Sequence, residues 1–149
     1  MGDNGDAPLL FRAMEQDNGK PRLGGFRDCL GVRVPPDQYA DVFPDAMGNV
    51  GPNGAGMSVC RSLREMPGFL IPKRLRQVLG IPKARGNNSL FVWSMGSAPF
   101  ARSRIGVALQ LTPDGGSAHG VVEPANVMLL AAYERALEQT RPLWIVNER

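Results

Sequence analysis

Glycine and proline interrupt this sequence so often that few long helices can survive in it. The 18 glycines and 13 prolines together make about a fifth of the 149 residues. Proline has no backbone N–H and breaks helix interiors, and both residues favour turns. A chain so punctuated should be built from short strands and loops. Hydrophobic residues still make up 43%, a normal globular share, and the length suits one ordinary domain that buries a core without staples.

We read residues 1–8 as a disordered N-terminal tail and 9–149 as a single domain. PLLFRAM (8–14) reads as a first strand, short, apolar and bounded by Pro8. Residues 15–56 are dense in turn residues and read mostly as loop. So long a loop is unusual inside a compact domain, so it either contains short helices or covers a site. MSVCRSL, from Met57, reads as a short strand, and FLI (69–71) as an extended piece. Pro72 can open a helix through KRLRQVL that Gly80 closes. The best strands are LFVWSM (90–95) and RIGVALQLT (104–112), followed by HGVVE (119–123). After Pro124, ANVMLLAAYERALEQT has helical spacing, with Val127, Leu130, Ala131, Tyr133, Ala136 and Leu137 on overlapping faces. Pro142 ends it, and LWIV (143–146) reads as a last strand. Strands with few helices and no βαβ rhythm imply an α+β fold with antiparallel pairing.

No apolar run approaches the roughly 20 residues that span a bilayer, so membrane insertion is not expected. The start, MGDNGDAPLLFRAM, carries acids where a secretory signal carries bases. The protein is expected to be cytoplasmic when made, and any export should proceed without a cleaved signal. Two cysteines, Cys29 and Cys60, and one histidine, His119, make neither a disulfide framework nor a metal site. The net charge is only +3, but no acid stands between Glu65 and Asp114. That interval holds Lys73, Arg74, Arg76, Lys83, Arg85, Arg102 and Arg104. It is either a solvated face or a surface that steers anions. Its few aromatics (Phe91, Trp93, Phe100) sit in strand-like surroundings, which argues against a single-strand stacking platform.

Three features bear on chemistry. Arg12 lies inside an apolar strand, where a guanidinium needs a partner. It either snorkels to water or grips a phosphate with its two prongs. Gly54-Ala55-Gly56 precedes Met57-Ser58-Val59, so the glycines either form a turn or let backbone approach a ligand. Neither a P-loop nor a Rossmann fingerprint fits there. Strand alternation puts His119, Val121 and Glu123 on one face, with the two polar residues about 13 Å apart. His119 is either structural or a ligand contact, and Glu123 is either a ligand contact or a charge favoured at a helix start. A Ser58–His119–acid triad lacks a nucleophile elbow, and a Cys60–His119 dyad lacks support as well.

Taken in order, Leu10-Phe11-Arg12-Ala13, the loop containing Val32-Arg33-Val34-Pro35, Gly56-Met57-Ser58-Val59 and His119-Gly-Val-Val-Glu-Pro before a helix resemble one bacterial family. It is that of the cytoplasm-acting type VI secretion toxins with an ADP-ribosyltransferase-like fold. The resemblance spans roughly residues 9–140. It implies a split antiparallel β core clasping NAD, few helices and a C-terminal helix. It implies that Arg12 or Arg33 holds an NAD phosphate, with Gly56 and Ser58 beside the nicotinamide half. It implies catalytic roles for Ser58, for His119 in bonding a ribose or positioning the substrate, and for Glu123 as the carboxylate that steadies positive charge when nicotinamide leaves. The strand reads Met57-Ser58-Val59 where the wider superfamily has Ser-Thr-Ser, and Val121 stands where a Gln/Glu-x-Glu turn would begin. The implied partners are NAD, the type VI secretion machinery and a cognate immunity protein of acidic character. Two other classes of reading stand beside it. One is a non-catalytic basic adaptor for nucleic acid or an acidic protein; the other is a transferase removing an RNA 2′-phosphate with NAD.

Overall fold

A computed structural model describes residues 7–149. The strands are short, as the glycine and proline density requires. The first five are β1 (Leu10–Met14), β2 (Gln16–Asp17), β3 (Lys20–Pro21), β4 (Asn49–Val50) and β5 (Met57–Cys60). A one-turn helix, α1 (Leu75–Val78), precedes β6 (Phe91–Met95), β7 (Ser103–Ile105), β8 (Leu109–Pro113) and β9 (His119–Pro124). The chain finishes with β10 (Met128–Leu129), the longest helix α2 (Leu130–Gln139) and β11 (Ile145–Val146). Seven strands form one sheet in the order β11-β6-β1-β5-β9-β8-β7, and every neighbouring pair is antiparallel. This is the expected α+β class: a mostly antiparallel sheet with few helices and a helix near the C-terminus.

The sheet is covered on both faces, which is why all five residues of β1 are buried. Leu10 and Met14 join a core with Met57, Val59, Trp93, Val122, Tyr133, Leu137 and Trp144. Phe11 and Ala13, pointing the other way, join a second core with Leu63, Met66, Ile71, Leu75, Leu90 and Val92. Helix α2 lies over the first face because Tyr133, Ala136 and Leu137 form a buried stripe at i, i+3 and i+4. The Tyr133 hydroxyl reaches into the sheet. It accepts a bond from Met57 N at 3.1 Å and donates to Val122 O at 2.5 Å. Burial pushes this phenol well above the ordinary tyrosine range. Tyr133→Phe should leave both backbone groups unpaired and lower stability by about 1–3 kcal/mol, readable as a fall in the urea midpoint.

Several sequence expectations shift. Of the expected tail, residues 1–6 lie outside the described residues. Ala7 and Pro8 are buried, and Ala7 O accepts bonds from Ser97 N and Ala98 N at 2.9 Å each. FLI is not extended: Gly68–Leu70 is a 3-10 turn. RIGVALQLT is not one strand but the hairpin β7–β8, because Gly106 adopts a φ of 65° and turns the chain. The last helix begins at Leu130 rather than 125, since Met128 and Leu129 pair with Val50 and Asn49 and Leu130 N bonds to Gly48 O. Val127 and Ala131 consequently lie outside the buried stripe. The long 15–56 segment holds no helix; it contains only the two-residue strands β2, β3 and β4.

Most sheet neighbours pair along several residues, but β1 and β5 meet through a single pair, Phe11 with Cys60. Their backbones therefore part on either side of that joint, at the centre of the sheet.

Candidate functional site

A cavity of about 200 Å³ opens at this joint. Its wall takes Phe11, Arg12 and Ala13 from β1, Ser58, Val59 and Cys60 from β5, and His119 from the start of β9. Arg27 and Arg33 contribute from the long loop, and Met66 to Leu70 close the far side. Phe11 and Arg12 point to opposite faces of β1, so the cavity draws on both faces where β1 and β5 separate. It is lined by three arginines and a histidine, with no acidic side chain.

Arg12 has the partners that its buried position demands, and they are backbone carbonyls. Nε and Nη2 bond to Cys29 O at 3.3 and 2.8 Å, Nη2 also to Arg27 O at 2.9 Å, and Nη1 to Ser58 O at 2.7 Å. Among the described residues no carboxylate forms an ion pair with it. Burial lowers its pKa to about 10, with Asp41 opposing that fall and Arg33 adding to it. Arg12 is thus a buried cation, solvated by carbonyl dipoles and lacking a counter-ion in contact.

Arg33 is differently placed. Its fork grips Asp41 through Nε–Oδ2 at 3.1 Å and Nη2–Oδ1 at 3.0 Å, while Arg33 N donates to Asp41 Oδ2 at 2.7 Å. The bonds to Asp41 push its pKa up. The pair closes the loop 33–41 and leaves Arg33 largely neutralised for any ligand. Arg27 stands at the mouth, bonded to Asp28 at 2.9 Å, with its guanidinium 5.5 Å from the centre of the Phe69 ring.

Ser58 and His119 both line the cavity. The Ser58 hydroxyl has no hydrogen-bond partner among the described residues. Cys60 lies directly across the strand pair from His119. Burial raises the Cys60 thiol to about 11, and His119 Nδ1 contacts Asp114 rather than the thiol, so neither feature supports a Cys60–His119 nucleophile. Both cysteines are free and buried.

Two residues that the resemblance assigned to the site lie elsewhere. Gly56 does make a close approach, but to protein: a Cβ there would stand 2.4 Å from Val122 O, so the glycine lets β5 lie against β9. Glu123 shares the sheet face of His119 by alternation, as expected, yet does not line the cavity. It is 1% exposed, and its carboxylate accepts bonds from Gly54 N at 2.7 Å, Gln110 Nε2 at 2.7 Å and Thr112 Oγ1 at 2.6 Å. Nor does it start a helix, since α2 begins seven residues later.

Sequence reasoning missed Arg27, Phe69 and Asp114. Arg27 sits in the long loop, for which covering a site was one of two readings, but nothing singled it out. Asp114 had a usable signal. It precedes the Gly-Gly-Ser turn between two strand-like runs, and a hairpin there brings residues 114 and 119 together. Among the described residues, no group of three or more histidine, cysteine or acidic side chains is placed to hold a metal ion, and no helix is long and apolar enough to cross a membrane. No family model, curated protein or solved structure matches this chain.

Proposed function

We propose that this protein is an NAD-using toxin with an ADP-ribosyltransferase-like fold, delivered by type VI secretion into competing cells and neutralised by a cognate immunity protein. One observation carries the reading. A cavity at the parted centre of an antiparallel sheet gathers Arg12, Arg33, Ser58 and His119 and has no acid in its wall. Those residues come from separate stretches of sequence and are four of the six that the family resemblance assigned to the site. The buried charge of Arg12 favours a ligand that brings negative charge close. Two pyrophosphate oxygens supply such charge.

The cavity is smaller than the roughly 300–1,000 Å³ usual for drug-sized ligands. It therefore takes one end of a dinucleotide, and the remainder lies across the mouth beside Arg27 and Phe69. Ser58 offers its free hydroxyl and His119 its imidazole to the ribose and nicotinamide half. The proposed reaction gives no direct role to Glu123.

The basic adaptor reading draws less support. Arg74 donates to Asn88 O and Leu90 O and pairs with Glu148 at 2.6 Å, and Arg76 bonds to Ala84 O at 2.8 Å. Arg74 and Arg76, the two that the adaptor reading leans on, are holding the chain's own backbone rather than waiting for a partner.

Calorimetric titration with NAD tests the binding part. The wild-type protein should bind, and Ser58→Ala and His119→Ala should each weaken binding by about tenfold, the size of one lost hydrogen bond. Controlled expression with and without the immunity protein tests toxicity. Normal growth without any protection sinks the toxin reading. Intact toxicity with no loss of cellular NAD and no labelled target sinks the transferase reading.

A further inference from the structure

We propose that Asp114 is a positioning residue that fixes the orientation and tautomer of His119 and turns its Nε2 atom to the cavity. The proposal rests on reading this cavity as the NAD site. The β8–β9 turn is tied at both backbone and side-chain level. Asp114 N donates to His119 O at 2.9 Å, Ser117 N to Asp114 O at 2.9 Å, and His119 N to Ser117 Oγ at 2.8 Å. Arg61 N, just beyond β5, donates to Ala118 O at 2.8 Å and holds the turn against the sheet. Within this frame His119 Nδ1 lies 2.5 Å from Asp114 Oδ2.

A carboxylate accepts a hydrogen bond and does not donate one, so the proton of this contact sits on Nδ1. In a neutral ring that leaves Nε2 bare, as an acceptor. Among the described residues Nε2 has no partner, while the His119 side chain lines the cavity. The arrangement presents a lone pair to a ligand hydroxyl, such as a ribose hydroxyl, and can take its proton. Without Asp114 the ring would be free to rotate and to carry its proton on either nitrogen.

His119 is the only histidine in the sequence, so one ring reports directly. Untagged, 15N-labelled protein is examined by two-bond 1H–15N correlation at a pH where the ring nitrogen shifts show it neutral. In the wild type Nδ1 should be protonated and Nε2 bare. Asp114→Ala should move the proton towards Nε2, whereas Asp114→Asn, whose amide oxygen still accepts, should keep the wild-type pattern. A wild-type ring protonated on Nε2, or an Asp114→Ala spectrum unchanged from wild type, overturns the proposal. In parallel, NAD affinity should fall about fivefold in Asp114→Ala, in proportion to the lost competent tautomer, and return in Asp114→Asn. Unchanged affinity despite a moved proton would overturn the positioning role. If the wild type binds no NAD, the functional reading falls instead, and the spectra alone decide whether Asp114 holds the ring.

Discussion

Arg12→Ala is expected to destabilise the protein severely, not simply to empty the cavity. The guanidinium holds the carbonyls of Arg27, Cys29 and Ser58, which belong to the covering loop and to β5. Truncation takes the donor from three acceptors, Cys29 O in a buried setting and Arg27 O and Ser58 O in part-buried ones, at about 1–3 kcal/mol for each that water cannot reach. A void the size of the side chain adds to the loss. Against a total stability of about 5–15 kcal/mol, a fall on the order of 3–5 kcal/mol is decisive. Arg12→Lys should be intermediate, because an ammonium is a point charge and cannot span the carbonyls with a planar fork. Urea unfolding followed by tryptophan fluorescence reads the effect, since Trp93 and Trp144 are both buried. An Arg12→Ala midpoint within about 1 kcal/mol of wild type would show that the carbonyls find water and that the arginine is held mainly for a ligand. The result also governs how activity is interpreted: loss of toxicity in Arg12→Ala says little about NAD until folding has been measured.

That Arg12 needs a partner was legible from one fact, its place in an apolar strand. What the partner is was not legible, because carbonyls of residues 27, 29 and 58 meet it only through tertiary folding. The same limit explains the other differences. β1, β5, β6 and β9 were readable because each carries a short apolar or alternating run. The hairpin inside RIGVALQLT was hidden because the run of β-formers on either side of Gly106 outweighs a single glycine in any local reading. The start of α2 was misplaced because residues 125–129 have helical spacing but spend their backbone on Ala108, Asn49 and Val50. Local propensity yields to such pairing.

The candidate site divides in the same way. Arg12, Arg33, Ser58 and His119 converge on one cavity, although Arg12, Ser58 and His119 each had a bland reading and only their order joined them. Gly56 and Glu123 entered the set through the same short motifs as Ser58 and His119. Along a strand adjacency is misleading: a residue four places on is some 13 Å away, and here the far end of β9 is covered by the Gly54 turn. Arg33 converges but arrives with Asp41, eight residues on in a loop dense in turn residues, a pairing that spacing alone does not reveal.

Glu123→Gln separates a catalytic carboxylate from a structural one. A carboxylate that acts on substrate should tolerate the amide in folding and lose activity. The bonds at Glu123 imply the reverse order. Both oxygens accept, from Gly54 N on one side and from Gln110 Nε2 and Thr112 Oγ1 on the other. An amide has one acceptor oxygen and one donor nitrogen, so whichever way it turns, its NH₂ group faces a donor. If nitrogen faces Gly54, the turn before β5 loses its anchor; if it faces the other pair, Gln110 must flip its amide and Thr112 rotate its hydroxyl to accept instead, and the charge-assisted bonds become neutral ones. Glu123→Ala loses all three bonds, and a cost of about 3 kcal/mol or more is expected, equal to a fall in Tm of roughly 6–12 °C for a domain of this size. Glu123→Gln should cost about a third to a half of that. Because Gly54 leads into Met57-Ser58, the loosened turn should also weaken the proposed NAD binding, but only in step with the loss of stability. At a temperature where the variant is fully folded, residual activity should therefore approach wild type. A variant that melts like wild type and yet has no activity would return Glu123 to the reaction, and the cavity would then have to be redrawn to include it.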